Sequence, residues 1–153
     1  MTIVRSRQCG VAIALAAILS VAAPASDQTW TFSERTAGLT VNGAFTGLSL
    51  TCAGSDNVEV TFSGFPAHLE AGTTYTVPVS VEGTAFLLES QARDGGERAF
   101  SALVHVASAS DLSGLLEALA SGRTAEISSP AGPYVVPLAG SGRALETFRL
   151  RCG

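Results

Sequence analysis

Short runs of alternating apolar and polar residues, separated by turn residues, constrain this chain more than any other feature. In the run 58–63, valine and phenylalanine occupy every second position, and glutamate, threonine and serine lie between them. A period of two predicts a β-strand with one buried face. Asn42-Gly43 lies between two such runs, and this dipeptide favours a β-hairpin because both turn positions require a positive φ. The sequence therefore predicts antiparallel strands joined by short turns.

The same pattern recurs along the chain and predicts about seven to nine short strands. Pro78 lies inside one run, and because proline has no N–H to donate, we expect that strand at a sheet edge or a bulge. Another run places Ser101, Leu103 and His105 on one face, and we expect His105 there to be solvent-exposed. The predicted strands span about 29–33, 38–41, 44–52, 58–63, 75–81, 84–91, 100–106, 124–129 and 134–138.

The period changes after residue 110. Four leucines follow the spacing i, i+3, i+4, i+7, which predicts one apolar face of a short helix. Ser110 is the expected N-cap and Gly122 the expected C-terminal stop. The four leucines are Leu112, Leu115, Leu116 and Leu119.

The segment 144–152 fits two patterns. Its apolar residues follow a helical stripe after a Ser141 cap, yet Phe148, Leu150 and Cys152 also alternate as in a strand. The helix is the favoured interpretation because the segment contains good helix formers. The chain is therefore predicted to be mainly β, a β-sandwich or small barrel of antiparallel strands with one short internal helix and a C-terminal helix.

The first 25 residues have the features of a secretory signal peptide. Arg5 and Arg7 precede the apolar run 11–21, and a small-x-small cleavage signal ends at Ala25. A membrane anchor would need about 20 apolar residues, so we expect cleavage near Ala25 and no transmembrane segment in the mature chain. The remaining residues, 26–153, have the length of one domain, which we expect in the periplasm of a bacterium or outside the cell.

Cleavage leaves two cysteines, Cys52 and Cys152, because Cys9 leaves with the signal peptide. An even number of cysteines in an exported domain predicts a disulfide. A redox-active pair would need a Cys-x-x-Cys motif or a setting that lowers the thiol pKa, and the sequence contains neither signal. Two distant cysteines and two isolated histidines do not predict a metal site.

Charge excludes one class of partner. Losing two of the nine basic residues with the signal peptide leaves seven against thirteen acidic ones, a net charge of about −6. A chain of this charge repels phosphate backbones, so nucleic acid is not an expected partner.

No motif in the chain demands a particular chemistry. Ser101 and His105 would stand about 13 Å apart along a strand, too far for a hydrogen bond. His68 lies in a predicted loop, where a polar residue is ordinary. Glu59 and Glu89 could meet across a sheet, as paired catalytic carboxylates do, but nothing in the sequence promotes that pairing. No catalytic residue and no cofactor is therefore predicted.

The turn at 140–142 shares some features with a phosphate-binding loop. Gly140-Ser141-Gly142 follows a predicted strand and opens a predicted helix, where an anion can bind. The complete nucleotide-binding pattern is absent from the sequence. A plain strand-to-helix turn is the favoured interpretation.

The second half of the chain has a characteristic order of elements. A strand starts from Phe100, Asp111-Leu112 opens a leucine-rich helix, and Gly122-Arg123-Thr124 enters a strand, followed by 134–138 and a final helix after Leu138-Ala139-Gly140. In these features the chain resembles the invasion-associated locus B family of small exported bacterial proteins. The resemblance covers about a third of the chain. It implies a β-rich periplasmic protein and carries over no catalytic residue.

Three functions fit these observations. The first is an exported, non-catalytic protein that binds another envelope or extracellular macromolecule, or supports the envelope. The second is an inhibitor of a periplasmic or secreted hydrolase, which would use an exposed, ordered loop at 64–72 or 91–98. The third is a small hydrolase, which would need a cleft that gathers His68 with two carboxylates.

Overall fold

The computed structural model describes residues 27–54, 56–94 and 100–152. The predicted signal peptide lies outside these residues, so export, the cleavage position and the domain start remain predictions. Part of the predicted loop at 91–98 also lies outside them. Within the described ranges, no helix is long and apolar enough to cross a membrane.

Nine antiparallel strands form one sheet in the described part of the chain, in the spatial order β1-β2-β3-β4-β7-β6-β5-β8-β9. The prediction of a mainly β fold with two helices is confirmed. The strands are β1 (Gln28–Ser33), β2 (Thr36–Val41), β3 (Ala44–Cys52), β4 (Asn57–Ser63), β5 (Thr74–Val81), β6 (Thr84–Arg93), β7 (Ala102–Ser108), β8 (Thr124–Ser129) and β9 (Gly132–Pro137).

The sheet curls into a half-barrel, so that its two edge strands approach each other without pairing. The indole Nε1–H of Trp30 on β1 donates to the carbonyl oxygen of Pro137 on β9 at 2.7 Å. The hydroxyl of Tyr134 on β9 donates to the carbonyl oxygen of Gly47 on β3 at 3.0 Å. Two side chains therefore hold the half-barrel together: Trp30 joins its two edge strands, and Tyr134 joins β9 to β3.

Two helices, α1 (Ser113–Ser121) and α2 (Ser141–Cys152), pack on the inner face of the sheet. The C-terminal segment is thus a helix, as favoured from its composition. Phe148 of α2 is fully buried and meets Phe32 of β1 edge-on, with ring centroids 6.5 Å apart. The other buried residues of the two helices include Leu115, Leu116, Leu119, Ala144 and Leu145.

Both expected N-caps are wrong, whereas α1 ends at Ser121 and Gly122 follows it, as expected. The residue at the start of α1 is Leu112, which makes no side-chain capping bond, and the Ser108 hydroxyl rather than Ser110 accepts a bond from the Asp111 N–H. The buried Ser141 hydroxyl makes contacts of 2.7 Å with the carbonyl oxygens of both Leu119 and Leu138. Ser141 therefore joins the start of α2 to the end of α1.

The disulfide between Cys52 on β3 and Cys152 at the end of α2 is present, and the two Cα atoms lie 5.6 Å apart. It ties the last residues of α2 to an inward-facing position of the sheet. The predicted disulfide thus anchors a helix rather than joining two strands.

The buried face of β7 differs from the expected one. Leu103 is fully buried and His105 is half-buried on the same side, whereas on the other face Val104 is buried but Val106 is 51% exposed. Alternation is ambiguous here because apolar residues occupy both faces of the run. β7 lies between β4 and β6, and the pairing of Leu103 with the buried Phe62 decides which side is inward.

The expected position of Pro78 at a sheet edge or a bulge is wrong, because it lies in β5, an interior strand with an unbroken register to β6. A two-residue turn between Val81 and Thr84 makes these two residues a hydrogen-bonded pair. Val79 and Val77 therefore also bond to β6, and the residues between them, including Pro78, direct their main chain toward β8. Pairing with β8 begins only at Val79. The proline therefore occupies the stretch of β5 without a neighbour on that side, because it has no N–H to donate.

Candidate functional site

The loop 64–72, between β4 and β5, is an exposed segment in which burial alternates from Phe65 to Glu70. Pro66, His68 and Glu70 face solvent, whereas Phe65 is only 5% exposed and belongs to the core. The sequence encodes this arrangement with one apolar anchor followed by alternating exposed positions. The 64–72 loop therefore presents polar side chains outward from a fixed base.

Ser101 holds the middle of the 64–72 loop from behind. Its backbone N–H donates to the carbonyl oxygen of Ala67 at 3.0 Å, and its hydroxyl oxygen accepts from the Leu69 N–H at 2.7 Å. The side chain of Ser101 is almost fully buried, at 2% exposure. Breaking a buried hydrogen bond of this kind is costly because the donor and the acceptor stay buried, where water cannot replace the lost partner.

Both ends of the loop are also fixed. At the far end, the Gly72 N–H donates to the Ala92 carbonyl oxygen, and the Ala92 N–H donates to that of Thr73, each at 2.8 Å. At the near end, Gly64 has a φ of +82°, and a Cβ there would lie 2.3 Å from the hydroxyl oxygen of Thr46. Only glycine fits this position, so the direction in which the loop leaves β4 is built into the sequence.

An aromatic contact supports the exposed tip. The imidazole ring of His68 packs against the ring of Phe100, with centroids 5.3 Å apart. Phe100 is itself 52% exposed. Together the two rings form a partly apolar, partly polar surface, of the kind enriched at protein interfaces.

A cleft of about 270 Å³ adjoins the loop at the seam of the half-barrel. One wall comes from the start of the loop and the other from the β8–β9 turn and β9. Burial raises the pKa of Tyr134 above its ordinary value, so its hydroxyl stays neutral and keeps its bond to Gly47. The residues that line this seam cleft include Leu39, Val41, Thr46, Phe65, Pro66, Pro133, Tyr134 and Val136.

The two histidines, His68 and His105, have separate partners and do not join a catalytic set with Ser101. His68 packs on a phenyl ring in the loop. His105 lies on the inner side of β7, with Nδ1 2.7 Å from the carbonyl oxygen of Glu89. The hydroxyl of Ser101 is engaged with Leu69, so neither imidazole is paired with it.

The acidic candidates also have separate partners. Glu59 forms an ion pair with Arg93 at 2.9 Å, and Glu89 accepts a hydrogen bond from the Thr76 hydroxyl. Strand β7 lies between the strands that carry the two carboxylates, so two strand spacings, about 9.5 Å, separate their backbones. The two carboxylates lie on the outer face of the sheet and do not face each other across a cleft.

The turn at 140–142 serves packing. Gly140 has a φ of +87°, and a Cβ on Gly142 would lie 2.9 Å from the carbonyl oxygen of Ala120. The glycines therefore allow the chain to turn and α2 to approach α1 closely, as favoured for a plain strand-to-helix turn. Among the described residues, no group of three histidine, cysteine, aspartate or glutamate side chains is placed to hold a metal ion.

Sequence reasoning missed the residue that organises the loop. Ser101 looks like an ordinary polar position of a strand, and its partner Leu69 lies 32 residues earlier in the chain. The role of Ser101 could have been inferred only if Ser101 and Leu103 had been assigned to the buried face of the strand. The expected phase was the opposite one.

A second groove, of about 300 Å³, lies beside the disulfide. Its floor is apolar, with Leu116 and Phe148, and Glu117 and Arg149 contribute charged side chains to its lining. Among the described residues, this second groove has no exposed, hydrogen-bonded loop and no pair of exposed aromatic rings beside it. The 64–72 loop with the seam cleft is therefore the better candidate site.

Comparisons with protein-family models, with curated proteins and with solved structures gave no match to this chain.

Proposed function

We propose that this chain is an exported, non-catalytic protein that binds another envelope or extracellular protein through the 64–72 loop and the adjoining seam cleft. The observation that carries the proposal is the loop itself, which is exposed along one side and hydrogen-bonded along the other. The signal peptide predicted from the sequence and the Cys52–Cys152 disulfide support an oxidising compartment.

A loop held in place favours binding for an energetic reason. Association costs conformational entropy for each side chain and loop that becomes ordered, about 0.5–1.5 kcal/mol per immobilised side chain. Ser101 already orders the backbone at Ala67 and Leu69 before any partner arrives. The loop therefore loses less freedom on binding than an unsupported loop of the same length.

The shape of the loop also favours the narrower function of a hydrolase inhibitor. A segment with alternating exposed side chains, hydrogen-bonded from behind at Ala67 and Leu69, can present those side chains to a substrate cleft without rearranging. Pro66 and His68 are the exposed positions nearest the pinned residues. A role in envelope support without a specific partner is the remaining reading of the same scaffold.

Crosslinking tests the binding surface. A photoreactive amino acid at position 68 should capture the same protein species from envelope extract in repeated trials, whereas one at the exposed Glu117, beside the second groove, should not. Equal capture at both positions, or none at position 68, would contradict the proposal.

Affinity for the captured protein provides the quantitative test. The double variant His68→Ala/Glu70→Ala should weaken binding by roughly tenfold or more, as expected for central interface residues. The matched control Glu117→Ala/Arg149→Ala removes the charges of the other groove and should bind within about twofold of the unchanged protein. If the captured protein is a hydrolase, its rate on a standard substrate separates inhibition from plain binding.

A further inference from the structure

On the outer edge of β1, the main-chain groups of Trp30 and Phe32 pair with no other strand of the described sheet. The Asn42 N–H donates to the Asp27 carbonyl oxygen, and the register runs from this pair to a two-residue turn after Ser33. Alternate residues of β1 therefore bond to β2, and those between them point away. Trp30 and Phe32 thus direct their N–H and carbonyl groups away from β2, toward the open side of the sheet edge.

The opposite edge, on β9, is closed to strand addition. The Leu138 N–H donates to the Arg123 carbonyl oxygen at 2.9 Å, and the register from this pair leaves Pro133, Val135 and Pro137 facing outward. Two of these three residues have no N–H. The carbonyl oxygen of Pro137 is already bonded to the Trp30 indole. The two edges therefore differ: β9 offers one donor, whereas β1 offers alternating donors and acceptors.

A groove of about 470 Å³ lies along the free part of β1. Thr29, Trp30 and Phe32 form one wall, and α2 forms the other with Gly140, Arg143, Ala144 and Thr147. We call this the edge groove. A strand added to β1 would lie about 4.8 Å from it, with every second side chain directed toward α2.

Arg143 determines the chemistry of this wall. It is exposed, and the ion pairs found among the described residues join other arginines, Arg93 and Arg123, to carboxylates. A cation without a carboxylate partner beside a sheet edge complements an acidic side chain on the incoming strand. β1 itself contains no acidic residue, so a second copy pairing through its own β1 would not supply that charge.

We propose that the edge groove binds an extended segment of a partner protein, which adds to the sheet beside β1 and places a carboxylate next to Arg143. The main-chain groups of Trp30 and Phe32 provide up to four hydrogen bonds, as in other cases of strand addition. This surface is distinct from the 64–72 loop, and the inference stands whether or not the loop binds a partner.

The test uses a library of random eight-residue peptides selected on the full, processed protein. Enriched peptides should be free of proline and carry aspartate or glutamate at one position of an alternating pattern. Phe32→Pro removes the N–H at a site where proline is tolerated, because that N–H faces out of the sheet. It should weaken binding at least tenfold relative to the matched variant Phe32→Val, which keeps the N–H. Thermal unfolding of both variants checks that each is folded.

Charge reversal is the second arm. Arg143→Glu should lower the affinity for acidic peptides at least tenfold and raise it for the same peptides with lysine in place of the acid. The His68→Ala/Glu70→Ala variant should bind the peptides unchanged, which separates this site from the loop. The inference is overturned if no peptide is enriched, if Phe32→Pro and Phe32→Val bind alike, or if sedimentation shows that a second copy occupies the edge.

Discussion

Ser101 shows how much one residue contributes to the candidate site. Its hydroxyl and its N–H together bond to two residues of the 64–72 loop, and both contacts depend on the buried face of β7 being the one with Leu103. Tyr134 likewise fixes one side of the seam cleft, because its hydroxyl donates to the carbonyl oxygen of Gly47. The local conformation of the site is therefore decided by a few buried polar atoms.

Tyr134 makes a prediction about alkaline stability. Burial raises the pKa of this phenol above the ordinary tyrosine value of about 10. The raised folded-state pKa stabilises the fold fully below pH 10 and progressively less above it, because only the unfolded chain then ionises. The free energy of unfolding should fall by about 1.4 kcal/mol per pH unit above pH 10.

Urea unfolding between pH 8 and pH 11 measures this slope. Tyr134→Phe should reduce the slope, at a cost of about 1 kcal/mol at neutral pH for the lost bond to Gly47. Tyr75→Phe, at a half-exposed position on the inner face of β5, is the comparison. An unchanged slope in Tyr134→Phe would contradict the assignment.

Gly122 makes a prediction about packing at the end of α1. Its φ of −75° suits any residue, but a Cβ would lie 2.5 Å from Cγ1 of Val81. Gly122→Ala should therefore destabilise the protein by about 1–3 kcal/mol in urea unfolding, as overpacking does. Gly114→Ala in the same helix, where the nearest atom is 3.6 Å away, should stabilise by about 0.5–1 kcal/mol. Two changes of the same sign would refute this reading.

At the scale of elements, the two sheet edges have different chemistry. The outward prolines of β9 leave Val135 as the one residue there that can donate an N–H to a neighbouring strand. Proline on an edge strand is a common protection against edge-to-edge association. β1 has no proline and is flanked by α2, so its edge is accessible only from one side.

The protection of β9 can be removed by one substitution. Pro133→Val adds an outward N–H beside the exposed Val135 and should cause concentration-dependent self-association. Sedimentation velocity across a range of protein concentrations measures this directly. Pro130→Ala, in the β8–β9 turn, is the matched control because it adds no donor to the free edge. Equal sedimentation of the two variants would argue against the protective role.

At the scale of the whole molecule, the disulfide joins positions 100 residues apart. It holds the end of α2 against β3, while Phe148 packs on Phe32. Because α2 forms one wall of the edge groove, the disulfide also supports that surface. The chain-entropy model gives such a crosslink up to about 4.7 kcal/mol.

Cys52→Ser/Cys152→Ser should therefore lower the free energy of unfolding by about 3–5 kcal/mol. The expected cause is a less constrained unfolded chain together with a loosened end of α2. Urea unfolding with and without reductant checks it: reductant should bring the unchanged protein to the stability of the double variant and leave the variant itself unaffected. A variant as stable as the oxidised protein would exclude a structural role.

Local patterns predicted most elements because their causes are local. The turn at Asn42-Gly43 has a positive φ at both residues, and the run 58–63 is buried at its valines and phenylalanine, both as the sequence indicates. The face of β7 was predicted wrongly because apolar residues occur on both of its sides. The two N-caps were predicted wrongly because other groups, such as the Leu119 carbonyl oxygen for Ser141 and the Ser108 hydroxyl for Ser110, engage the same hydroxyls.

The amino-acid sequence alone determined where strands and helices form and which cysteines pair, since turn sterics, side-chain period and cysteine count act over short distances or by elimination. The tertiary structure decided which strands are edges, how the sheet curls and which loop is pinned. Those features depend on contacts between residues far apart in the chain, such as Trp30 with Pro137, 107 positions away. No local pattern records such a contact, because its energy exists only once the intervening strands have been placed.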